Sequence, residues 1–198
     1  RSPLFPYTTL FRSQVISAAD RRAFVDCRDI LHKPYPLSVV PLHSSELELI
    51  DPAKSAFLKE NASASFIAER NGQPVGRIMA VDNAAYKELH DTGTGHFGFL
   101  EAIDDPTVFK ALTDAAADWL RGRGLTRIMG PFSPSVNHET GLLVEGFDMA
   151  PTYLMNYAPP FYATQLEALG FEKAQDLYSF LTGTGEDVIA PKLAQMLD

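Results

Sequence analysis

The chain has 198 residues, 45% hydrophobic and 21% charged, with 25 Asp and Glu against 17 Lys and Arg and a formal net charge of −8. That balance argues against a nucleic-acid surface or an anionic-membrane surface, both of which need clustered positive charge. Cys27 is the only cysteine, which excludes an internal disulfide and every multi-cysteine metal site and makes a reducing cytoplasm the simplest location. No apolar run reaches the roughly 20 residues that cross a bilayer, so no membrane span is expected.

The run from Leu4 to Ser13, Leu-Phe-Pro-Tyr-Thr-Thr-Leu-Phe-Arg-Ser, resembles a translated sequencing adapter. Residues 1–13 are therefore set aside as an artefact, the alternative being an ordinary N-terminal strand. The remaining 185 residues suit one domain with a substantial core, placed at 14–181.

Val15-Ile16 is a short strand candidate, and Ser17 caps a predicted helix over 18–32 with Phe24, Cys27, Ile30 and Leu31 on its apolar face. Prolines at 34, 36 and 41 stop regular structure. Asp51-Pro52 reads as the cap and first position of a second helix ending near Asn61. The runs 64–70 and 73–81, joined by Asn71-Gly72, predict a β-hairpin.

A polar stretch follows over 82–95. Phe97, Phe99 and Glu101 then alternate with Gly98, Leu100 and Ala102, predicting a central strand over 96–103. Asp105-Pro106 opens a helix to about Arg121, with Phe109, Leu112, Ala116 and Trp119 at helical spacing and Gly122 and Gly124 at its end. A short strand is expected over 125–129. The segment 131–150 has no periodicity, which marks it as functional or mobile. A last helix over 160–169 breaks at Gly170 and leads into a strand over 171–181. Val188 to Asp198 reads as the start of another amphipathic helix without a stop signal. Residues 182–198 are thus expected to lead into a longer protein with a further domain beyond Asp198.

The order helix, helix, hairpin, long strand, helix, strand, helix, strand resembles the GNAT superfamily of N-acyltransferases. Two segments carry the resemblance: Leu166-Glu167-Ala168-Leu169-Gly170-Phe171-Glu172 and the run from Ala111 to Leu125. Residues 95–102, 130–137 and 141–148 are similar to a bacterial group of GNAT-like proteins of unassigned substrate. The resemblance implies an α/β (α+β layered) fold with a mixed, mostly antiparallel central sheet flanked by helices. It also implies acyl transfer from acetyl-CoA or another acyl-CoA to a small-molecule or peptide amine, without a metal.

In that fold the fourth and fifth strands splay and the pantetheine arm lies in the gap, here against the backbone of Leu100 to Ala102. The diphosphate sits on the next helix N-terminus, where free N–H groups and the helix dipole favour an anion. The cofactor-binding positions so implied are Leu100, Ala102, Asp104, Pro106, Thr107, Val108 and Phe109. Asp104, Thr107 and Phe109, however, replace the diagnostic residues of the family's Gln/Arg-x-x-Gly-x-Gly/Ala turn. Asp105 competes for the same donors as an N-cap, and an acidic side chain about 4 Å from a phosphate charge costs about 4 kcal/mol near a surface.

Glu101 stands on the strand where the family keeps a carboxylate base, and burial there predicts a raised pKa. The competing reading is a salt-bridged glutamate. The family's general-acid tyrosine falls at Leu166, so Tyr162, one turn earlier, is the candidate acid, with packing as its alternative. His96, His138 and the Asn137-His138-Glu139 run read as loop polar groups, Ser133 and Ser135 as turn caps, and Trp119, Phe97 and Phe99 as core. The rival to an enzyme is a catalytically inactive GNAT-like binding or structural domain, the N-terminal part of a longer protein.

Overall fold

The computed structural model describes residues 10–90 and 92–179. The helix expected over 188–198 and the segment 182–198 lie outside the described residues. Five strands form one sheet in the order β1 (Leu10–Gln14), β2 (Ala62–Arg70), β3 (Gln73–Asp82), β4 (Thr94–Ala102) and β5 (Arg127–Met129). The first three pairings are antiparallel and the last is parallel. Helices α1 (Ala18–His32), α2 (His43–Leu49) and α3 (Ala56–Glu60) supply one layer, and α4 (Ala84–Leu89) joins β3 to β4. Helices α5 (Pro106–Arg121) and α6 (Phe161–Ala168) contribute to the core on the other face. A two-stranded ribbon, β6 (Phe132–Ser133) with β7 (Glu139–Thr140), interrupts 131–150.

Two cores follow from this layering. Phe97, Leu100, Ala102, Val108, Phe109, Leu112, Tyr162 and Leu166 meet on the α5 side, and Phe24, Val25, Ile50, Leu58, Met79 and Phe99 on the α1 side. Trp119 packs at the margin of the first. The β2–β3 hairpin turns on Asn71 and Gly72 with φ of 55° and 73°, the left-handed pair that matches the strand twist. At α1, Ser17 and Asp20 close a reciprocal capping box, the Ser17 side chain accepting from the Asp20 N–H and Asp20 from the Ser17 N–H. The α5 boundaries agree with the reading of Asp105-Pro106 and Gly122.

Several expectations need correction. The N-terminal strand is not Val15-Ile16 but Leu10–Gln14, which pairs with β2 along its length and so takes in part of the segment set aside. The buried face of α1 is rotated: Ile30 is 40% exposed, while Arg28 and His32 are buried beside Phe24, Val25 and Cys27. The helix expected from Pro52 to near Asn61 is confined to α3, and α2 forms ahead of it, where no helix was expected. Asp51 caps a turn through Ala53 instead, and Ser55 caps α3. The polar stretch contains α4, capped by Asn83. Residues 171–179 form no strand; Phe171 packs on Phe97 with ring centroids 5.4 Å apart.

β4 does not alternate throughout. Its register against β3 shifts between Arg77 and Met79, and Phe99 takes a φ of 49°. This bulge puts Phe97 in the α5-side core and Phe99 in the α1-side core. β5 accompanies β4 only from Thr94 to His96, so the two diverge for the rest of β4. β6 then crosses close to β4 at Gly98, where any Cβ would lie 1.6 Å from the Phe132 carbonyl oxygen. Among the described residues no helix is long and apolar enough to cross a membrane.

Candidate active site

Beyond the bulge, β4 carries Glu101 into a buried group of charges. His32 Nε2 lies 2.6 Å from Glu101 Oε2, and the Tyr162 hydroxyl donates to the same oxygen at 3.0 Å. Arg28 Nε and Arg77 Nη2 approach Oε1 at 3.4 and 3.7 Å, as ion pairs. Arg77 Nη1 also donates to Glu46 Oε1 at 2.5 Å and to the Phe24 carbonyl at 2.9 Å, and the guanidinium lies 4.8 Å from the Phe24 ring centroid. Arg28 reaches Glu139 on β7 at 3.2 Å, tying the 131–150 segment to α1. His32 Nδ1 meets Ser38 Oγ at 2.5 Å.

Burial alone would raise the Glu101 pKa, as the sequence reading expected. The hydrogen bond and charge of His32, then the charges of Arg28 and Arg77, outweigh it and hold the carboxyl at about 2. Glu101 is therefore ionised and accepts hydrogen bonds only. It is a poor proton acceptor at neutral pH and serves to orient and to compensate charge. Burial opposes charge on Arg77 as well, and Glu46 and Glu101 outweigh it. Tyr162 is pushed well above the ordinary phenol range by burial and the Glu101 charge, so its hydroxyl keeps its proton.

Tyr162 also closes the unpaired edge of β4, its oxygen accepting from the Ala102 N–H at 2.8 Å. A second donor of that edge, the Phe99 N–H, bonds to Ser133 Oγ at 2.9 Å. Leu100 turns its side chain into the α5-side core, and Leu166, at the family's acid position, is buried there too.

The start of α5 is satisfied from within. Pro106 has no N–H. The Thr107 N–H bonds to Asp105 Oδ1 at 2.8 Å, and the Val108 and Phe109 N–H groups bond to the Asp105 carbonyl at 3.0 and 3.2 Å. The side-chain hydrogen bond of Thr107, joined by those of Arg70 and the Thr107 N–H, outweighs burial and holds the Asp105 carboxyl at about 2. Asp104 accepts from Gln165 at 2.7 Å, and Val108 and Phe109 are fully buried. This turn does not fit a CoA diphosphate: its donors are taken and its caps are acidic.

Of the predicted site residues, the structure joins Glu101, Tyr162 and Ala102 in one hydrogen-bonded group and leaves Asp104 to Phe109 as a self-capped helix start. Sequence reasoning missed Arg28, His32, Glu46 and Arg77. Two signals were available: Phe24, Arg28 and His32 recur every four residues on one helix face, and Arg77 is a lone charge inside the apolar run from Val75 to Val81. His96 lies instead between the Tyr86 and Phe132 rings, at 4.5 and 5.3 Å, and burial lowers its pKa to about 4. Ser135 Oγ accepts from the Asn137 N–H and meets His138 Nδ1 at 2.8 Å, a turn cap.

A predicted acetyltransferase of Clostridium acetobutylicum, solved with acetyl-CoA, superposes with a TM-score of 0.53 at 12% identity over 87% of this chain and 96% of that one. A tandem GNAT protein of the clavulanic acid biosynthesis pathway superposes at 0.51 and 13% identity, over 82% of this chain and 43% of that one. The chain has the GNAT fold. In sequence it is 35% identical over 195 residues to protein YghO of Escherichia coli K12, covering 98% of this chain and 50% of that protein. It is 37% identical over 182 residues to the bacterial ceramide synthase of Caulobacter vibrioides, covering 91% of this chain and 47% of that protein. The chain thus spans about half the length of the curated relatives it matches. No protein-family model matches it.

Proposed function

We propose that the protein is an N-acyltransferase that moves an acyl group from a thioester, acyl-CoA, to an amine, with Glu101, His32 and Tyr162 at its centre. The observation that carries this reading is the parting of β4 from β5 after His96, with that buried polar group set at the unpaired end. The acceptor is a long-chain amine. A ceramide is the amide of a long-chain amino alcohol, and the 37% identity to a ceramide synthase supports that chemistry here. So does the rim of the site. Tyr35 and Tyr157 meet at 6.1 Å, joining two loops that expose Val39, Val40 and Leu42 on one side and Tyr153, Leu154 and Met155 on the other.

The self-capped α5 start favours a second reading, a catalytically inactive GNAT-like binding or structural domain that holds no CoA. The intact protein should be incubated with acyl-CoA of several chain lengths and a long-chain amino alcohol. The first reading predicts an amide and free CoA in equal amounts by mass spectrometry. No amide with any donor refutes it. Absence of acyl-CoA binding to the protein by calorimetry, together with absence of amide, selects the second.

A further inference from the structure

Three rings stand beside the buried charges. The centroids of Tyr35 and Tyr157 are 6.1 Å apart with planes at 49°, and His32 lies edge-on to both, at 6.1 and 6.2 Å. We propose that the mouth formed by Tyr35, Tyr157 and Asp104 binds the ammonium head of the amine acceptor. This deepens the N-acyltransferase reading and rests on it.

A long-chain primary amine is protonated at neutral pH, as a lysine is, so it reaches the protein as a cation with an apolar tail. Tyrosine faces attract an ammonium within about 6 Å of the ring centroid, and two tilted faces offer it more than one such contact. A carboxylate stands beside them. Burial raises the Tyr35 phenol pKa, and the charges of Tyr157 and Asp104 raise it further, which places the three groups together. Gln165 Nε2 donates to Asp104 Oδ1 at 2.7 Å and fixes that carboxylate from α6, the helix that carries Tyr162. Asp105 is paired with Arg70, whereas Asp104 has no basic partner among the described residues. The acid that repels a diphosphate therefore suits a group of the opposite charge.

Two further features fit this ligand. Tyr157 is 6% exposed, yet its hydroxyl meets no donor or acceptor among the described residues. A buried phenol without a protein partner marks a place that a polar ligand or water fills. Behind the rings, Arg28, Arg77 and His32 face Glu46, Glu101 and Glu139, so the basic groups of the interior are matched by carboxylates and set no cationic barrier. The flanking loops expose Val39 and Leu154, a surface for the tail. An acid, two aromatic faces and an apolar rim together select a cationic amphiphile over a long-chain amino acid, whose carboxylate Asp104 repels.

The intact protein should be titrated by calorimetry with octylammonium, octyltrimethylammonium and octanol, all below micelle formation. The trimethylammonium probe cannot be acylated, so its binding reports the site without the reaction. Both cations should bind roughly 10-fold more tightly than octanol. Asp104→Asn and Tyr35→Leu, checked as folded by circular dichroism, should each weaken both cations by about 10-fold and leave octanol unchanged. Tyr35→Phe restores the ring and should recover the binding lost in Tyr35→Leu. In steady-state amide formation, Asp104→Asn and Tyr35→Leu should raise the amine KM by a similar factor, with kcat and the acyl-donor KM little changed. Octanol binding as tightly as the cations, or cation binding unaltered in both variants, overturns the proposal, and amide formation in the same preparation leaves the N-acyltransferase reading standing. Cation binding that responds to the variants in a protein forming no amide with any donor supports the ammonium site and overturns that reading.

Discussion

Glu101 and Asp105 stand on either side of the end of β4, and both carboxyls are held at about 2 by opposite means. Asp105 sits in a turn with its side chain 24% exposed, where two groups of Thr107 and the Arg70 guanidinium bond to it and the Thr107 side chain alone outweighs burial. Glu101 is 5% exposed, and burial would neutralise it were His32, Arg28 and Arg77 not in place. The same ionised state therefore depends on local hydrogen bonds at one site and on a long-range assembly of charges at the other. The exposed carboxylate closes an anion site; the buried one organises polar groups that can act on a substrate.

The largest effect is expected inside. Arg77→Leu leaves Glu46 and Glu101 buried without their shared cation and should cost about 3–5 kcal/mol in urea unfolding, because an unpaired buried charge is strongly destabilising. Adding Glu46→Leu should recover part of that. A loss under about 1 kcal/mol would show that water, not Arg77, compensates these acids.

Acid separates the groups by window. Glu101, lowered from 4.5, contributes stability that is complete above 4.5 and lost as pH falls to about 2; Asp105, lowered from 3.8, does the same from 3.8 downward. His96 is lowered from 6.5 to about 4, so the unfolded chain takes its proton first and stability falls between pH 6.5 and 4. Thermal unfolding across pH should show both windows, and His96→Phe should flatten the upper one. High salt should weaken the Asp105 contribution and leave that of Glu101 nearly intact. Equal salt sensitivity would erase the contrast drawn here.

Smaller still, Asp105→Ala removes an N-cap and should cost about 0.5–2 kcal/mol. Arg70→Ala, its half-exposed partner, should cost less than about 1 kcal/mol. A cost for Arg70→Ala above that of Asp105→Ala would mean that the ion pair, not the cap, holds the turn.

Those elements whose instructions are local were legible in the sequence. Asp105-Pro106 and Gly122 mark α5, Ser17 and Asp20 start α1, and Asn71-Gly72 turns the hairpin, each through chemistry within a few residues. The GNAT arrangement followed from their order. The site was only partly legible, since Glu101 and Tyr162 were named but their chemistry depends on partners distant in sequence: His32 lies 69 residues from Glu101, and Glu46 lies 31 from Arg77. The raised pKa expected of Glu101 came from counting its burial without these cations. Likewise the Phe99 bulge is set by pairing with β3, and no local pattern announces it.

The central claim is that acyl transfer is organised at Glu101 and not at the start of α5. The most direct test compares initial rates of amide formation by the intact protein, Glu101→Gln and Asp105→Asn, at a temperature where circular dichroism shows all three folded. The account predicts a loss of roughly 100-fold or more for Glu101→Gln, the scale of a positioned proton-transfer system, and a rate close to wild type for Asp105→Asn. A near wild-type rate for Glu101→Gln, with Asp105→Asn impaired, would contradict it.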